Sequence, residues 1–171
     1  MTDLTRQIVR LRVPIGFLCG PVAYWLARPT WTSLAVGYGV VVVGEGIRVW
    51  AAGHLQKGRE VTRSGPYRLV AHPLYLGSAL IGLGMAIASA SLWVTLLAAA
   101  YLGATVIPAI RVEEQWLRAT FGNEYDAYRE TQAAPADRRF SLARAIANHE
   151  YRAVVGLAAV AALLALKVAW R

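Results

Sequence analysis

The 171-residue chain is 57% hydrophobic and 16% charged, with a mean hydropathy of +0.41. Soluble domains carry roughly 25% charged residues, so the composition excludes an ordinary soluble fold and points to a membrane protein. The net charge of +8 does not indicate a nucleic-acid binder, because the basic residues lie between apolar runs instead of forming one basic face.

Taken in chain order, the first apolar run is Val13 to Ala27, with Pro14 and Pro21 inside it. Arg6, Arg10 and Arg12 precede it without a persuasive small-residue cleavage site after it, so it is expected to be retained as a first span, kinked at Pro21. Cys19 within it has no cysteine partner and reads as a small buried hydrophobe. A second span is predicted from Trp31 to Ala52 and carries Glu45 and Arg48 in its later part. Charges inside a span are costly, so this pair either satisfies itself at i,i+3 or faces a pocket, where both residues are candidates for substrate binding.

From Pro73 to Ile110 there is no Asp, Glu, Lys or Arg, a run long enough for two crossings at ~20 residues each. Ser89-Ala90-Ser91 is the expected break of that hairpin. A last apolar run, Ala153 to Trp170, carries only Lys167, which is expected to snorkel to the interface. The whole chain, 1-171, thus reads as a single all-α polytopic bundle of about five spans. Fourteen Lys and Arg residues fall on one side if the spans alternate, against Arg28, Lys167 and Arg171 on the other, which predicts a cytoplasmic amino terminus.

Two polar segments remain, both on the predicted cytoplasmic side. In residues 53-72, Gly65-Pro66 marks a turn, and Pro73 suits the first position of the next helix because its missing amide hydrogen would be unpaired there anyway. His72 then stands at a helix mouth with Tyr75 about one turn further in. In residues 111-152, Gly122 is expected to end one helix and Asn123 to cap the next, giving a helix-turn-helix between spans four and five. Leu117, Phe121, Tyr125 and Tyr128 recur at helical spacing and read as an apolar packing stripe. Glu114 is spaced to pair with Arg118 at i,i+4. Arg138, Arg139 and Arg144, interleaved with Phe140, Leu142 and Ile146, are expected to rest on anionic headgroups.

Gly-Pro-Tyr-Arg at 65-68, His-Pro-x-Tyr-x-Gly at 72-77 and Glu-Glu-x-x-Leu-x-x-x-Phe-Gly-x-x-Tyr-x-x-Tyr at 113-128 resemble, in order and separation, the isoprenylcysteine carboxyl methyltransferase and phospholipid methyltransferase family. The likeness covers about residues 44-130. It implies an integral membrane enzyme with a cytoplasm-facing S-adenosylmethionine pocket within residues 65-128, fed from the bilayer with a lipid-like or prenylated acceptor bearing a carboxylate or an amine. His72 and Glu114 are the implied catalytic residues, and Tyr67, His72, Tyr75, Glu113 and Glu114 the implied cofactor-binding ones. Ala71 stands where the family usually has Arg, so Arg68 or Arg111 is expected to supply the missing cation for a carboxylate.

Two other readings compete. Steroid-reductase-type membrane enzymes share the His-Pro-x-Tyr region and use NADPH, but tend to have Asn and Glu where this chain has Leu74 and Ser78. A non-enzymatic membrane scaffold would account for Glu45 and Arg48 without a reaction.

Overall fold

The computed structural model describes residues 3–130 and 136–170, with side chains from Pro14 onward. The described residues are helical: α1 (Asp3–Leu26), α2 (Trp31–His54), a 3₁₀ turn (Gly65–Arg68), α3 (Pro73–Ser89), α4 (Leu92–Phe121), α5 (Asn123–Arg129), α6 (Leu142–Ala147) and α7 (Tyr151–Ala169). Three of these, α2, α4 and α7, are long and apolar enough to cross a membrane, while Pro14–Leu26 and α3 are shorter apolar helices. At 17 residues α3 reaches only about 26 Å, a little under the ~30 Å of a hydrocarbon core. The side chains of Arg6, Arg10 and Arg12 and all of Arg171, which enter the charge count, lie outside what is described.

Apolar side chains cover the outside of the bundle. Phe17, Trp25, Val42, Trp93 and Val155 are all more than half exposed, which suits a lipid-facing surface. Cys19 is only partly buried, contrary to the sequence expectation, because α1 packs chiefly on α4 and leaves the rest of its circumference open. α1 also runs helical through Pro14 and Pro21.

Glycines bring α2 and α3 into backbone contact. A Cβ on Gly37 would lie 2.4 Å from the Ala88 amide nitrogen, and one on Gly84 would lie 2.6 Å from the Gly37 carbonyl oxygen. Gly44 and Gly77 repeat the arrangement two turns further along, so a run of small residues, rather than interlocking large ones, sets this interface. At one end of the pair the Arg28 N–H donates to the Ser89 carbonyl at 2.7 Å and Ser33 Oγ to the Ala88 carbonyl at 3.1 Å. A small core of Ala27, Leu34, Ala88, Val94 and Leu164 fills the space below them. Lys167 donates to the Tyr24 and Trp25 carbonyls, capping the end of α1 from α7.

At the opposite end, the segment 136–150 caps α2. Asn148 Nδ2 donates to the Ala52 and Leu55 carbonyls at 2.9 and 3.1 Å, and Arg144 donates to Gly53. Arg138 donates to the His54 carbonyl and grips Glu60 through both carboxylate oxygens, at 2.5 and 2.7 Å. The last carbonyls of a helix have no partner within it, so a distal strap that supplies donors fixes the strap and the helix end together. Leu142 and Ile146 remain exposed on the strap, Phe140 lays its ring against Gly53 and His54 while staying about half exposed, and Arg144, expected on headgroups, is turned inward to Gly53.

The hairpin breaks at Ser89-Ala90-Ser91: Ala90 takes φ 46° and ψ 37°, and Ser91 leads into α4. Gly122 does more than expected. With φ 50° and ψ −125° it both ends α4 and serves as the N-cap of α5, so Asn123 is the first helical residue instead of the cap. A conformation with positive φ is the one that glycine adopts without strain, which is why the two helices change direction there.

Candidate functional site

A cavity of about 730 Å³ lies where the residue 55–62 loop, the 3₁₀ turn, the mouth of α3, the polar end of α4 and α5 meet. Its volume falls within the range of roughly 300–1,000 Å³ occupied by cofactors and drug-sized ligands. Pro73 at the first position of α3 aims His72 into the cavity from the N-cap, where the imidazole makes no capping bond. Tyr75 follows one turn on, its ring centroid 6.0 Å from that of His72. Glu113 and Trp116 enter from α4, Tyr125 and Tyr128 from α5, and Tyr67 from the 3₁₀ turn.

The two sequence motifs are bridged directly. His72 Nε2 donates to Glu114 Oε1 at 3.0 Å across 42 residues of sequence, and the Arg129 guanidinium reaches the same oxygen at 3.5 Å. Glu114 does not line the cavity; it stands behind His72 and orients it. The expected Glu114–Arg118 pair does not form, because Arg118 turns to Asp126 at 3.2 Å on α5. Glu113 lines the cavity with no hydrogen bond or ion pair to another described residue.

Tyrosines wall the polar end. Tyr128 Oη donates to the Tyr67 carbonyl at 2.8 Å, locking α5 onto the 3₁₀ turn. Burial, and after it the Glu113 carboxylate, pushes the Tyr67 phenol well above its ordinary range, so it stays a neutral donor. Burial pushes Tyr125 up to about 12. At the rim, the hydrogen bonds from Arg138 hold the Glu60 carboxyl below the usual carboxylate range.

Three of the four residues that sequence reasoning assigns to a packing stripe, Leu117, Tyr125 and Tyr128, line the cavity, and Tyr125 stands out among them. It is 1% exposed and lines the cavity, and its hydroxyl is buried without a hydrogen-bond partner among the described residues. An orphaned buried hydroxyl costs about 1–3 kcal/mol, so one that borders a cavity is a waiting contact for a polar ligand. Helical spacing gives no signal of this, since it reports which face a residue is on and not whether its polar tip is satisfied.

Other predicted site residues fall elsewhere. Arg68 is exposed and donates to the Ala136 carbonyl at 2.8 Å, with Asp137 at 3.4 Å, and Arg111 is exposed on α4; neither lines the cavity. Glu45 is buried in α2 with its carboxylate 3.5 Å from Arg48 Nε, behind the wall. Arg48 does line the cavity, beside Ser78, and its close partner is Glu150 at 2.6 Å, which sequence reading does not single out. Leu74, Tyr101, Leu102, Thr105 and Val106 make this end of the cavity the more apolar one. Among the described residues no group of three His, Cys, Asp or Glu side chains is placed to hold a metal ion.

The chain is 30% identical over 138 residues to the cobalt-zinc-cadmium resistance protein CzcN of Cupriavidus metallidurans, a match that takes in 76% of this chain and 64% of that relative. It thus spans about two thirds of the relative's length. No solved structure matches. Residues 32–124, holding α2, α3, the His-Pro-x-Tyr mouth and the Glu-Glu turn of α4, match the phospholipid methyltransferase family, and the chain belongs to that family.

Proposed function

We propose that the chain is an S-adenosylmethionine-dependent methyltransferase that acts on a long-tailed amine at the membrane surface. The observation that carries this reading is the single cavity in which Tyr67, His72, Tyr75 and Glu113, drawn from two separated motifs of the family, meet an apolar end lined by α3 and α4. The Tyr125 hydroxyl, without a hydrogen-bond partner among the described residues, and the Glu113 carboxylate on the cavity wall fit a ligand with both polar and cationic groups. Tyr67, Tyr75 and Tyr125 would hold the cofactor through ring faces and hydroxyls, and Glu113 through its ribose or amino group. When bound, S-adenosylmethionine supplies an electrophilic methyl on a sulfonium.

The residues of the cavity then do two things. They align the acceptor's lone pair behind that methyl, and for an amine they remove a proton as the new carbon–nitrogen bond forms. His72 suits proton removal, because in the tautomer that donates from Nε2 to Glu114 the lone pair on Nδ1 is left to take a proton. An amine is favoured over a carboxylate by where the arginines lie. Arg68 and Arg111 lie away from the cavity and Arg48 is paired with Glu150, so none of these arginines is set to meet an acceptor carboxylate, and Lys57 lines the cavity only from the exposed loop.

Purified protein in lipid should be stabilised against heat by S-adenosylhomocysteine and not by NADPH, and should methylate dodecylamine in preference to both dodecanoate and a tail-free amine. Stabilisation by NADPH alone would sink the methyltransferase reading, and equal turnover of the tail-free amine after correction for partitioning would sink the bilayer-fed acceptor.

The orientation belongs to the same proposal: five membrane crossings, with the cavity, the amino terminus and the α4–α5 turn in the cytoplasm. The support is the fourteen-to-three bias of Lys and Arg across the five apolar helices. Single cysteines placed at positions 58 and 123 should be reached by membrane-impermeant reagent only from the cytoplasmic side. Labelling of both from outside intact cells would reverse the topology.

A further inference from the structure

Arg48 joins helices α2 and α3 and the start of α7 through polar side chains at the apolar end of the cavity. Its Nε donates to Glu150 Oε1 at 2.6 Å and its Nη1 to Ser78 Oγ at 2.5 Å, while Ser78 Oγ donates in turn to the Leu74 carbonyl at 2.9 Å. Glu150 is 7% exposed and lies 102 residues from Arg48 in sequence. It also lies outside residues 32–124, the family-matched part. Glu45 is the competing carboxylate. It sits on Arg48's own helix at i−3, 3.5 Å from Nε, and neither of its oxygens has a hydrogen-bond partner among the described residues.

Arg48 therefore has two directions to turn. Toward Glu150 and Ser78 it forms part of the cavity wall; toward Glu45 it withdraws along α2. The carboxylate at position 150 decides between them, because a charge-assisted bond at 2.6 Å outweighs an ion pair at 3.5 Å that makes no hydrogen bond. Among the described residues Glu113, Tyr125 and Tyr128, which build the polar end of the cavity, share no hydrogen bond with Arg48, Ser78 or Glu150, and the Glu150 charge is felt there as a minor electrostatic push on the Tyr67 phenol, behind burial and Glu113.

We propose that Glu150 is a positioning residue which, by holding Arg48 against Ser78, shapes the acceptor end of the cavity, so that the segment beyond the family-matched residues sets affinity for the acceptor and not for the cofactor. This rests on the methyltransferase reading above. The glutamate acts through Arg48 and touches neither reactant.

The test compares wild type with Glu150→Gln and with the milder Ser78→Ala in lipid nanodiscs, with dodecylamine as acceptor. Glu150→Gln should raise the KM for dodecylamine about tenfold, and Ser78→Ala about threefold, with kcat and the Kd of S-adenosylhomocysteine unchanged within about twofold. A merely structural strut would loosen S-adenosylhomocysteine and dodecylamine by the same factor and lower thermal stability with them, and that result would overturn the proposal. So would an unchanged KM in Glu150→Gln. A wild type that binds no S-adenosylhomocysteine would instead remove the methyltransferase reading on which the proposal stands. Cofactor binding without any turnover of dodecylamine would leave that reading intact and overturn the acceptor end.

Discussion

Gly37→Val should leave little folded protein to recover from the membrane. The Cβ alone would sit 2.4 Å from the Ala88 amide nitrogen, 2.5 Å from the Gly84 carbonyl oxygen and 2.7 Å from the Ala88 Cα. All three are backbone atoms of α3, so no side chain can swing aside, and the helices must separate along the whole glycine seam. Overpacking typically costs about 1–3 kcal/mol where neighbours can adjust, and this contact belongs at or above the top of that range. Separation would also pull Gly44 from Gly77 and disturb Arg48, whose Cγ lies where a Gly77 side chain would go. The matched control is Gly39→Ala on the same helix, with nothing within 4 Å of its new Cβ, which should be neutral or stabilising by up to about 1 kcal/mol. Yield of monodisperse protein and the thermal midpoint in detergent report on both variants. A Gly37→Val protein as stable as wild type would mean that the seam is not closed as described.

That seam shows which parts of the fold are readable from the sequence. Breaks with a local cause are legible: the missing amide hydrogen of Pro73 starts α3, and the backbone freedom of Gly122 turns the chain from α4 into α5. The cap expected at Asn123 fails for the same local reason, since the turn at Gly122 already takes the cap position and Asn123 falls inside the helix. Closeness between distant segments is not legible. Gly37 and Gly84 carry no mark that they face one another, and nothing near Arg48 in sequence announces Glu150. The i,i+3 spacing points to Glu45, a partner that is present but the weaker one. Arg68 and Arg111 are candidates to replace the arginine absent at Ala71 only because they are near the motifs in sequence; the fold sends one to Asp137 and leaves the other on the surface.

His72 and Glu114 belong together by motif, and their geometry gives them different roles and a shared prediction. His72 borders the cavity, while Glu114 reaches it only through the 3.0 Å bond to Nε2. Removing the carboxylate frees the imidazole to flip or to exchange tautomers, and removing the imidazole leaves Glu114 to Arg129 alone. A hydrogen bond to a charged group is worth about 1.5–3 kcal/mol, so His72→Ala and Glu114→Gln should each lower kcat/KM by roughly ten- to a hundredfold. Because the two act as one unit, the double variant should lose no more than the worse single one, where independent contributions would multiply. Binding of S-adenosylhomocysteine separates their roles further: His72→Ala removes a wall of the cavity and should weaken it, whereas Glu114→Gln keeps the wall, loosens its orientation, and should weaken it less. Calorimetric Kd values and initial rates with dodecylamine, taken on variants that extract as folded protein, measure all of this. Wild-type affinity and turnover in both single variants would remove the pair from the site, and multiplying effects would leave His72 there without the partner that the structure gives it.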